Sequence, residues 1–407
     1  MLAKRMTRPA WRAAAFAALV LQFSAWTAPA WADAGFQRWI ADFRKTAAAS
    51  GISGTTFDKA FRGITEPDHS VLEKARSQPE FNMTAWEYVD RKLTEKAIAT
   101  GREMARTWKP WLDRIEQHFG VDRHILLAIW SMESSYGEAL KNEARLHNIA
   151  QALATLGYAD QRRSKWARGQ LIEALRIVQN GDIPASQLTG SWAGAMGHTQ
   201  FIPTSYQTWA FDADGDGRRD IWNSVPDALA SSANLLKKNG WQTGRTWGYE
   251  VSLPAGKFPS GSLTLGQWQG MGVVRANGKP FPRPSDNAEL KVPDGRESPA
   301  FLMTRNFFVI KRYNNSDLYA LSVGLLADQI AGHGGLVRDW NRPYTRLSST
   351  ETEELQRKLY ALGYYTGEID GAIGSGSKEA IRQFQARMGL TEDGHPSKEV
   401  LSILRKR

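Results

Sequence analysis

Apolar residues recur at intervals of three and four from Asp33 to about Leu175, the period of helices that each bury one face. Gly51, Gly63, Pro79, Gly120 and Gly157 punctuate this stretch, and no long alternation of apolar and polar positions occurs in it. The pattern changes over 245–310. There Val251, Leu253, Leu263, Leu265, Val273, Val274 and Phe307-Phe308-Val309-Ile310 form short apolar groups separated by Gly and Pro clusters, which predicts short strands or extended loops. Further on, Leu355, Leu359 and Leu362, then Ile381, Phe384 and Met388, then Val400, Leu401 and Leu404 predict three short amphipathic helices that share one core. The expected fold class is mainly α: a helical body with a small β-containing insertion, followed by a small three-helix C-terminal domain.

The first 32 residues follow another rule. Lys4, Arg5 and Arg8 precede the apolar run from Ala13 to Leu21, and Ala30-Trp31-Ala32 stands before Asp33. This is the charged, apolar and small-x-small order of a secretory signal. The run is shorter than the roughly 20 residues that span a bilayer, so cleavage before Asp33 is expected instead of a retained anchor. The chain has no cysteine, which excludes disulfides, thiolate metal sites, cysteine nucleophiles and an acylated cysteine anchor. Its formal charge is +10, and Lys4, Arg5, Arg8 and Arg12 account for four of those charges, leaving a mild excess of +6 that favours an anionic partner. Export favours extracellular polymers as partners, with no nucleic acid. The polar segment 341–350 reads as a linker, and in 351–407 nine acids balance nine bases while tryptophan disappears. The expected organisation is thus a signal at 1–32, a main body at 33–340, a linker at 341–350 and a second domain at 351–407.

Within the body, the run from Val121 to Gly137 reads as one helix, with Asp122 as its cap and Gly137 as its stop. Glu133 follows Leu126 by seven residues, Ile129 by four and Trp130 by three, so it falls on the apolar face. Burial and the negative end of the helix dipole both disfavour its carboxylate and push its pKa toward the range of a general acid near neutral pH. Cleavage of a glycosidic bond uses such an acid. The competing reading is a buried glutamate paired with Arg162 or Arg163.

A second stretch, Gly190-Ser191-Trp192-Ala193-Gly194-Ala195-Met196-Gly197-His198-Thr199-Gln200-Phe201-Ile202-Pro203, sets small residues among polar and aromatic ones. Small residues admit close backbone approach, Ser191 and Gln200 can bond hydroxyl or amide groups, and Trp192 or Phe201 can pack on a sugar ring. A tight crossing of the chain with itself, without ligand, would use the same pattern. Together with Trp130-Ser131-Met132-Glu133-Ser134-Ser135-Tyr136-Gly137 and Arg162-Arg163, this stretch resembles the membrane-bound lytic murein transglycosylase B family over roughly residues 35–340. The resemblance implies a lysozyme-like helical catalytic domain with Glu133 as the sole catalytic acid and base. It also implies that Arg162, Arg163, Ser191, Gln200, Phe201, Tyr313 and Tyr319 line the glycan groove, the two tyrosines belonging to the motif Tyr313-Asn314-Asn315-Ser316-Asp317-Leu318-Tyr319. Lipidated members carry an anchoring cysteine, which this chain lacks, so a soluble periplasmic form without transmembrane or lipid anchor is expected.

The run from Asp212 to Asp220 places Asp212, Asp214, Asp216 and Asp220 at positions one, three, five and nine of a calcium-type loop, with Gly217 at six and the Arg218 carbonyl at seven. Asn223 stands at position twelve, so Asp227 is the better closing ligand, as the resembled family also suggests. A structural calcium ion is expected. In the C-terminal domain, the stretch from Gly363 to Ser375 and Ala380-Ile381-Arg382-Gln383-Phe384-Gln385 resemble the peptidoglycan-binding domain found beside cell-wall hydrolases, although Ile373 and Ser375 depart from it. The function expected is a lytic murein transglycosylase acting on peptidoglycan glycan strands. It would cleave the β-1,4 bond between N-acetylmuramic acid and N-acetylglucosamine and leave 1,6-anhydro ends. A hydrolytic lysozyme, with a second carboxylate among Glu138, Glu143 and Asp160, and a non-catalytic wall-binding scaffold are the rivals.

Overall fold

The structure, a computed structural model, describes residues 33–76 and 83–407; the expected signal at 1–32 and Pro79 lie outside the described residues. Helices dominate from Ala34 to Lys238, as the three-and-four spacing requires. The helix Arg123–Ser134 has no charged residue between His124 and Glu133, and Ile125 through Trp130 are all buried. It therefore lies at the centre of the body, packed against the helices Glu95–Thr107, Val225–Lys238 and Asp317–Ala331. Burial of Leu126, Leu127 and Ile129 contributes about 1.5–3 kcal/mol each over an exposed position. Asp122 caps its start, accepting from the His124 N–H at 2.7 Å. Its end is abrupt: Ser135, Tyr136 and Gly137 have φ of 51°, 59° and 88°, three successive left-handed residues.

Gly157, expected as a break, lies inside the helix Ile149–Ala159. A Cβ there would stand 2.9 Å from the Trp39 ring, so the glycine serves a close helix approach and ends nothing. Two strands, β1 (His147–Asn148) and β2 (Thr189–Gly190), pair antiparallel ahead of the glycine-rich loop. The insertion over 245–310 is a five-stranded antiparallel sheet of β3 (Gly248–Ser252), β4 (Ser262–Thr264), β5 (Val274–Arg275), β6 (Asn287–Lys291) and β7 (Ala300–Thr304), in the order β4-β6-β7-β3-β5. Its own small core gathers Val251, Leu265, Trp268, Phe281 and Leu302. The chain then returns through Asp317–Ala331 to the centre of the body.

The C-terminal helices Ser349–Ala361, Ser375–Met388 and Lys398–Arg405 close over Leu355, Leu359, Ile381, Phe384, Val400, Leu401 and Leu404. Leu362 caps the first helix and is 45% exposed, while Leu347, from before the helix, enters the core instead. The polar segment 341–350 is held on both sides. Arg342 pairs with Asp90 at 2.8 Å, and Tyr344 Oη donates to Glu87 Oε1 at 2.6 Å. The Tyr344 ring meets Trp86 edge-on and stacks on His395 of the C-terminal domain, with centroids 4.3 Å apart.

Candidate active site

Glu133 is the second-last residue of its helix and half-buried. Tyr319 Oη donates to its Oε1 at 2.6 Å. Tyr319 is buried in the first turn of Asp317–Ala331, where Ser316 Oγ accepts the Tyr319 N–H at 3.3 Å. Its ring stacks on Tyr313, 6.4 Å away, and Tyr313 packs in turn on Phe201 at 5.7 Å. The Tyr313 hydroxyl donates to the Thr199 carbonyl at 2.5 Å. Glu133, Tyr319, Tyr313 and Phe201, drawn from three distant parts of the sequence, thus form one contiguous row.

Burial pushes the Glu133 carboxyl up to about 7, against the opposing pull of the Tyr319 hydrogen bond and the Lys92 charge. Burial likewise raises both tyrosines, Glu133 adding to it, so the phenols stay protonated and act as donors. Lys92 and Tyr88, one turn apart on the helix Ala85–Lys92, both feel the Glu133 charge. Neither was legible as a site residue in the sequence; the signal available was their four-residue spacing beside the buried Trp86 and Val89.

The glycine-rich loop crosses itself and its surroundings at short range. A Cβ on Gly190 would meet the Ala195 carbonyl at 2.2 Å, one on Gly194 the Leu153 side chain at 2.9 Å, and one on Gly197 the Ile221 carbonyl at 2.4 Å. The small residues therefore serve contacts of the protein with itself. Ser191 Oγ accepts from the Ala195 N–H at 3.0 Å, and Gln200, with φ of 52°, donates from Nε2 to the Gly197 carbonyl at 3.0 Å. Phe201 is 2% exposed and reaches the site as packing beneath Tyr313. His198 is held neutral, its pKa lowered to about 4 by burial, and its Nδ1 accepts from Trp130 Nε1 at 3.1 Å. Its carbonyl accepts from Ser134 Oγ at 2.6 Å, tying the loop to the residue after Glu133. The non-glycine residues with positive φ among those described, Ser135, Tyr136 and Gln200, all stand on these two segments, where backbone strain fixes the site's geometry.

Arg163 pairs with Asp160 at 2.5 Å and lies over the Trp192 ring, 5.7 Å from its centroid, which links it to the glycine-rich loop. Arg162 is exposed in the same turn, its backbone N–H donating to Asp160. The groups acting on Glu133 are Tyr319 and Lys92 in place of either arginine. Glu138 is exposed and pairs with Lys141 at 2.6 Å, Glu143 is exposed, and Asp160 holds Arg163.

In the aspartate loop, carboxylate oxygens of Asp212, Asp214 and Asp227 lie within 4.8 Å of one another. Asp227 is buried and its carboxyl is raised to about 6, chiefly by burial with Asp214 adding to it, although the Ala213 and Asp220 N–H groups donate to it. Converging hard oxygens around a buried carboxylate fit a calcium-sized cation. Local hydrogen bonds hold the loop: Asp212 accepts the Gly215 and Gly217 N–H groups at 2.7 and 2.9 Å, and Asp214 accepts the Asp216 N–H at 3.2 Å. Asp216 pairs with the Arg218 side chain at 2.9 Å, and Asp220 Oδ1 accepts the Trp222 and Asn223 N–H groups at 3.0 and 2.9 Å.

Residues 35–328 match the transglycosylase SLT domain family, and residues 348–404 match a peptidoglycan binding domain family. The membrane-bound lytic murein transglycosylase B of Escherichia coli K12 is 30% identical over 251 residues, covering 61% of this chain and 68% of that protein. Among solved structures, the chain is similar to SltB3 from Pseudomonas aeruginosa in complex with NAG-anhNAM-pentapeptide, with 45% identity, a TM-score of 0.72, and coverage of 91% of this chain and 99% of that one. It is also similar to the Escherichia coli lytic transglycosylase SLT35 in complex with calcium, with 26% identity, a TM-score of 0.62, and coverage of 74% and 93%.

Proposed function

The chain belongs to the transglycosylase SLT domain family and is a lytic transglycosylase of peptidoglycan; from that premise we propose that Glu133 alone supplies both its acid and its base, and that its products end in 1,6-anhydro-N-acetylmuramic acid. The protonated carboxyl donates to the oxygen of the β-1,4 bond as that bond breaks and positive charge develops at the anomeric carbon of N-acetylmuramic acid. The carboxylate then removes the proton from the C6 hydroxyl of the same sugar while its oxygen bonds to the anomeric carbon. The proton balance closes without water, and Glu133 ends protonated again. A carboxyl raised to about 7 suits both steps near neutral pH.

The observation that carries this reading is the identity of the groups acting on Glu133: a phenol and an ammonium, neither of them a carboxylate able to activate water. Tyr319 supports the carboxylate once its proton has left. The groove assignment of Arg162, Arg163, Ser191, Gln200, Tyr313 and Tyr319 belongs to the same proposal, with Phe201 as the packing beneath Tyr313, supported by the row from Phe201 to Glu133 and by the Arg163–Trp192 contact. Calcium at Asp212, Asp214 and Asp227 is proposed as a brace for the loop that precedes the helix Val225–Lys238, supported by the convergent carboxylates. Export to the periplasm is supported by the sequence of residues 1–32. No helix among the described residues is long and apolar enough to cross a membrane.

The test is mass spectrometry of fragments released from peptidoglycan by the wild-type protein and by Glu133→Gln. Ends one water lighter than hydrolysed muropeptides, absent with the variant, are expected. Water-added ends would mean a hydrolytic lysozyme with a second carboxylate.

A further inference from the structure

The helix Ser164–Asn180 begins directly after Arg163. Arg163, Trp166 and Gln170 follow one another at intervals of three and four, so they stand in one stripe along it. Both ends of that stripe hold the glycine-rich loop. Arg163 lies over Trp192, near the start of the loop, and Gln170 Oε1 accepts the Thr204 N–H at 3.0 Å just past its end. Trp166 therefore faces the loop from between these two contacts. Its ring is nevertheless 38% exposed, with no aromatic, cationic or hydrogen-bonding partner among the described residues. Ala167 beside it turns inward to the cluster of Val71, Ala75, Ala152 and Leu156 on which Trp192 packs. His198, in the middle of the loop, accepts from Ser134 Oγ on the helix of Glu133. The loop thus lies between Glu133 and Trp166.

We infer that Trp166 is a sugar-stacking residue of the glycan groove, taking the apolar face of an N-acetylhexosamine ring on the side of the glycine-rich loop away from Glu133. A pyranose ring presents C–H groups on its faces and hydroxyls at its edge, so an indole left open to solvent receives it without needing a polar partner. The surroundings favour a sugar over a protein. Arg162, Lys165 and Gly169 are the exposed residues next to Trp166 along its own segment, and a protein partner would need a contiguous apolar patch there. Arg163, its neighbour in the stripe, already borders the proposed groove through Trp192. Trp166 holds the strand away from the bond that breaks and moves no proton, so its contribution falls on KM and leaves kcat. The inference deepens the groove assignment and rests on it, and it takes nothing from the single-residue mechanism.

The experiment is a calorimetric titration of the full chain carrying Glu133→Gln, to keep the ligand whole, with the β-1,4-linked tetramer of N-acetylglucosamine, repeated after adding Trp166→Ala or Trp166→Phe. Binding is expected in the parent, about tenfold weaker with Trp166→Ala, and largely restored with Trp166→Phe. With Glu133 intact and sonicated peptidoglycan as substrate, Trp166→Ala is expected to raise KM about tenfold while kcat changes by less than about twofold. The ring is exposed, so the melting temperature should stay where it is. No binding by the parent, equal binding with Trp166→Ala, or equal weakening by alanine and phenylalanine would each overturn the inference. So would a fall in kcat at unchanged KM, or a lowered melting temperature that accounts for the loss. Water-added ends would fail the single-residue mechanism and leave the titration intact, whereas equal binding with Trp166→Ala would fail the stacking site and leave the anhydro ends.

Discussion

Tyr319 donates its phenolic proton to Glu133 Oε1 across 2.6 Å, joining the start of one buried helix to the end of another. The bond favours the carboxylate, yet burial outweighs it and leaves the carboxyl at about 7. The phenol thus limits how far the acid is raised, and it is already in place when the carboxylate must act as base.

Tyr319→Phe removes that donor. A hydrogen bond to a charged group contributes about 1.5–3 kcal/mol, so the Glu133 pKa is expected to rise by about one unit or more. A general acid works while protonated, so the alkaline limb of the kcat/KM profile moves to higher pH. Turnover at the optimum falls about tenfold or more, because the carboxylate that must deprotonate the C6 hydroxyl has lost its support. A pH profile that keeps its limb while activity drops would assign Tyr319 to packing alone.

Glu133 also sets a pH dependence of stability. Its folded-state pKa, about 7, lies above the 4.5 of an unfolded glutamate, so the folded state binds the proton more tightly. Stability is therefore lost as pH rises from 4.5 to 7 and stays lower above it. Glu133→Gln cannot titrate, and it is expected to be more stable than wild type at pH 8 by on the order of 1–3 kcal/mol, with the difference vanishing below pH 4.5. Denaturant midpoints at pH 4 and pH 8 check this. Equal gains at both would trace the effect to packing.

Local periodicity made the helix carrying Glu133, the three-helix C-terminal core and the short strands of 245–310 readable, because each is set by which residues neighbour one another along the chain. Long-range competition was not readable. Phe201 carries a ring that could face a sugar, and Tyr313 covers it. Tyr88 and Lys92 come to Glu133 only because Ala85–Lys92 packs on Asp317–Ala331, a contact between segments more than two hundred residues apart. The polar composition of 341–350 marked a linker, while the contacts of Tyr344 with Glu87 and of Arg342 with Asp90, some 250 residues away, were not readable from it.

Gly197 fixes the loop that carries Thr199, Gln200 and Phe201. It has φ of 67°, and a Cβ would stand 2.4 Å from the Ile221 carbonyl, which already accepts the His198 N–H at 2.9 Å. Gly197→Ala combines left-handed strain with a backbone clash and should destabilise by about 2–4 kcal/mol, lowering activity as the Thr199 carbonyl leaves Tyr313. Gly181, with φ of 82° and nothing within 4 Å, is the control. Gly181→Ala should lose about 1 kcal/mol and keep full activity. Equal melting temperatures for the two variants would remove the clash at Ile221 from the account.

Calcium should act on stability and leave bond cleavage alone. Asp212, Asp214 and Asp227 hold three carboxylates within 4.8 Å, one of them buried, and a bound cation would relieve that repulsion in the folded state alone. A ligand at a hundred times its Kd adds about 2.7 kcal/mol, enough to raise the melting temperature by about 5 °C in a body of this size. Calcium is expected to give that rise and chelator to reverse it. Asp214→Asn should remove the response with little change in the chelated melting temperature, because Asp214 is exposed whereas Asp227 also accepts two backbone amides. The proposed acid and base chemistry is carried by Glu133, so well below the transition the turnover per folded molecule should be the same with and without chelator. Activity lost in chelator at an unchanged melting temperature would place the ion in the glycan groove and end its assignment as a brace.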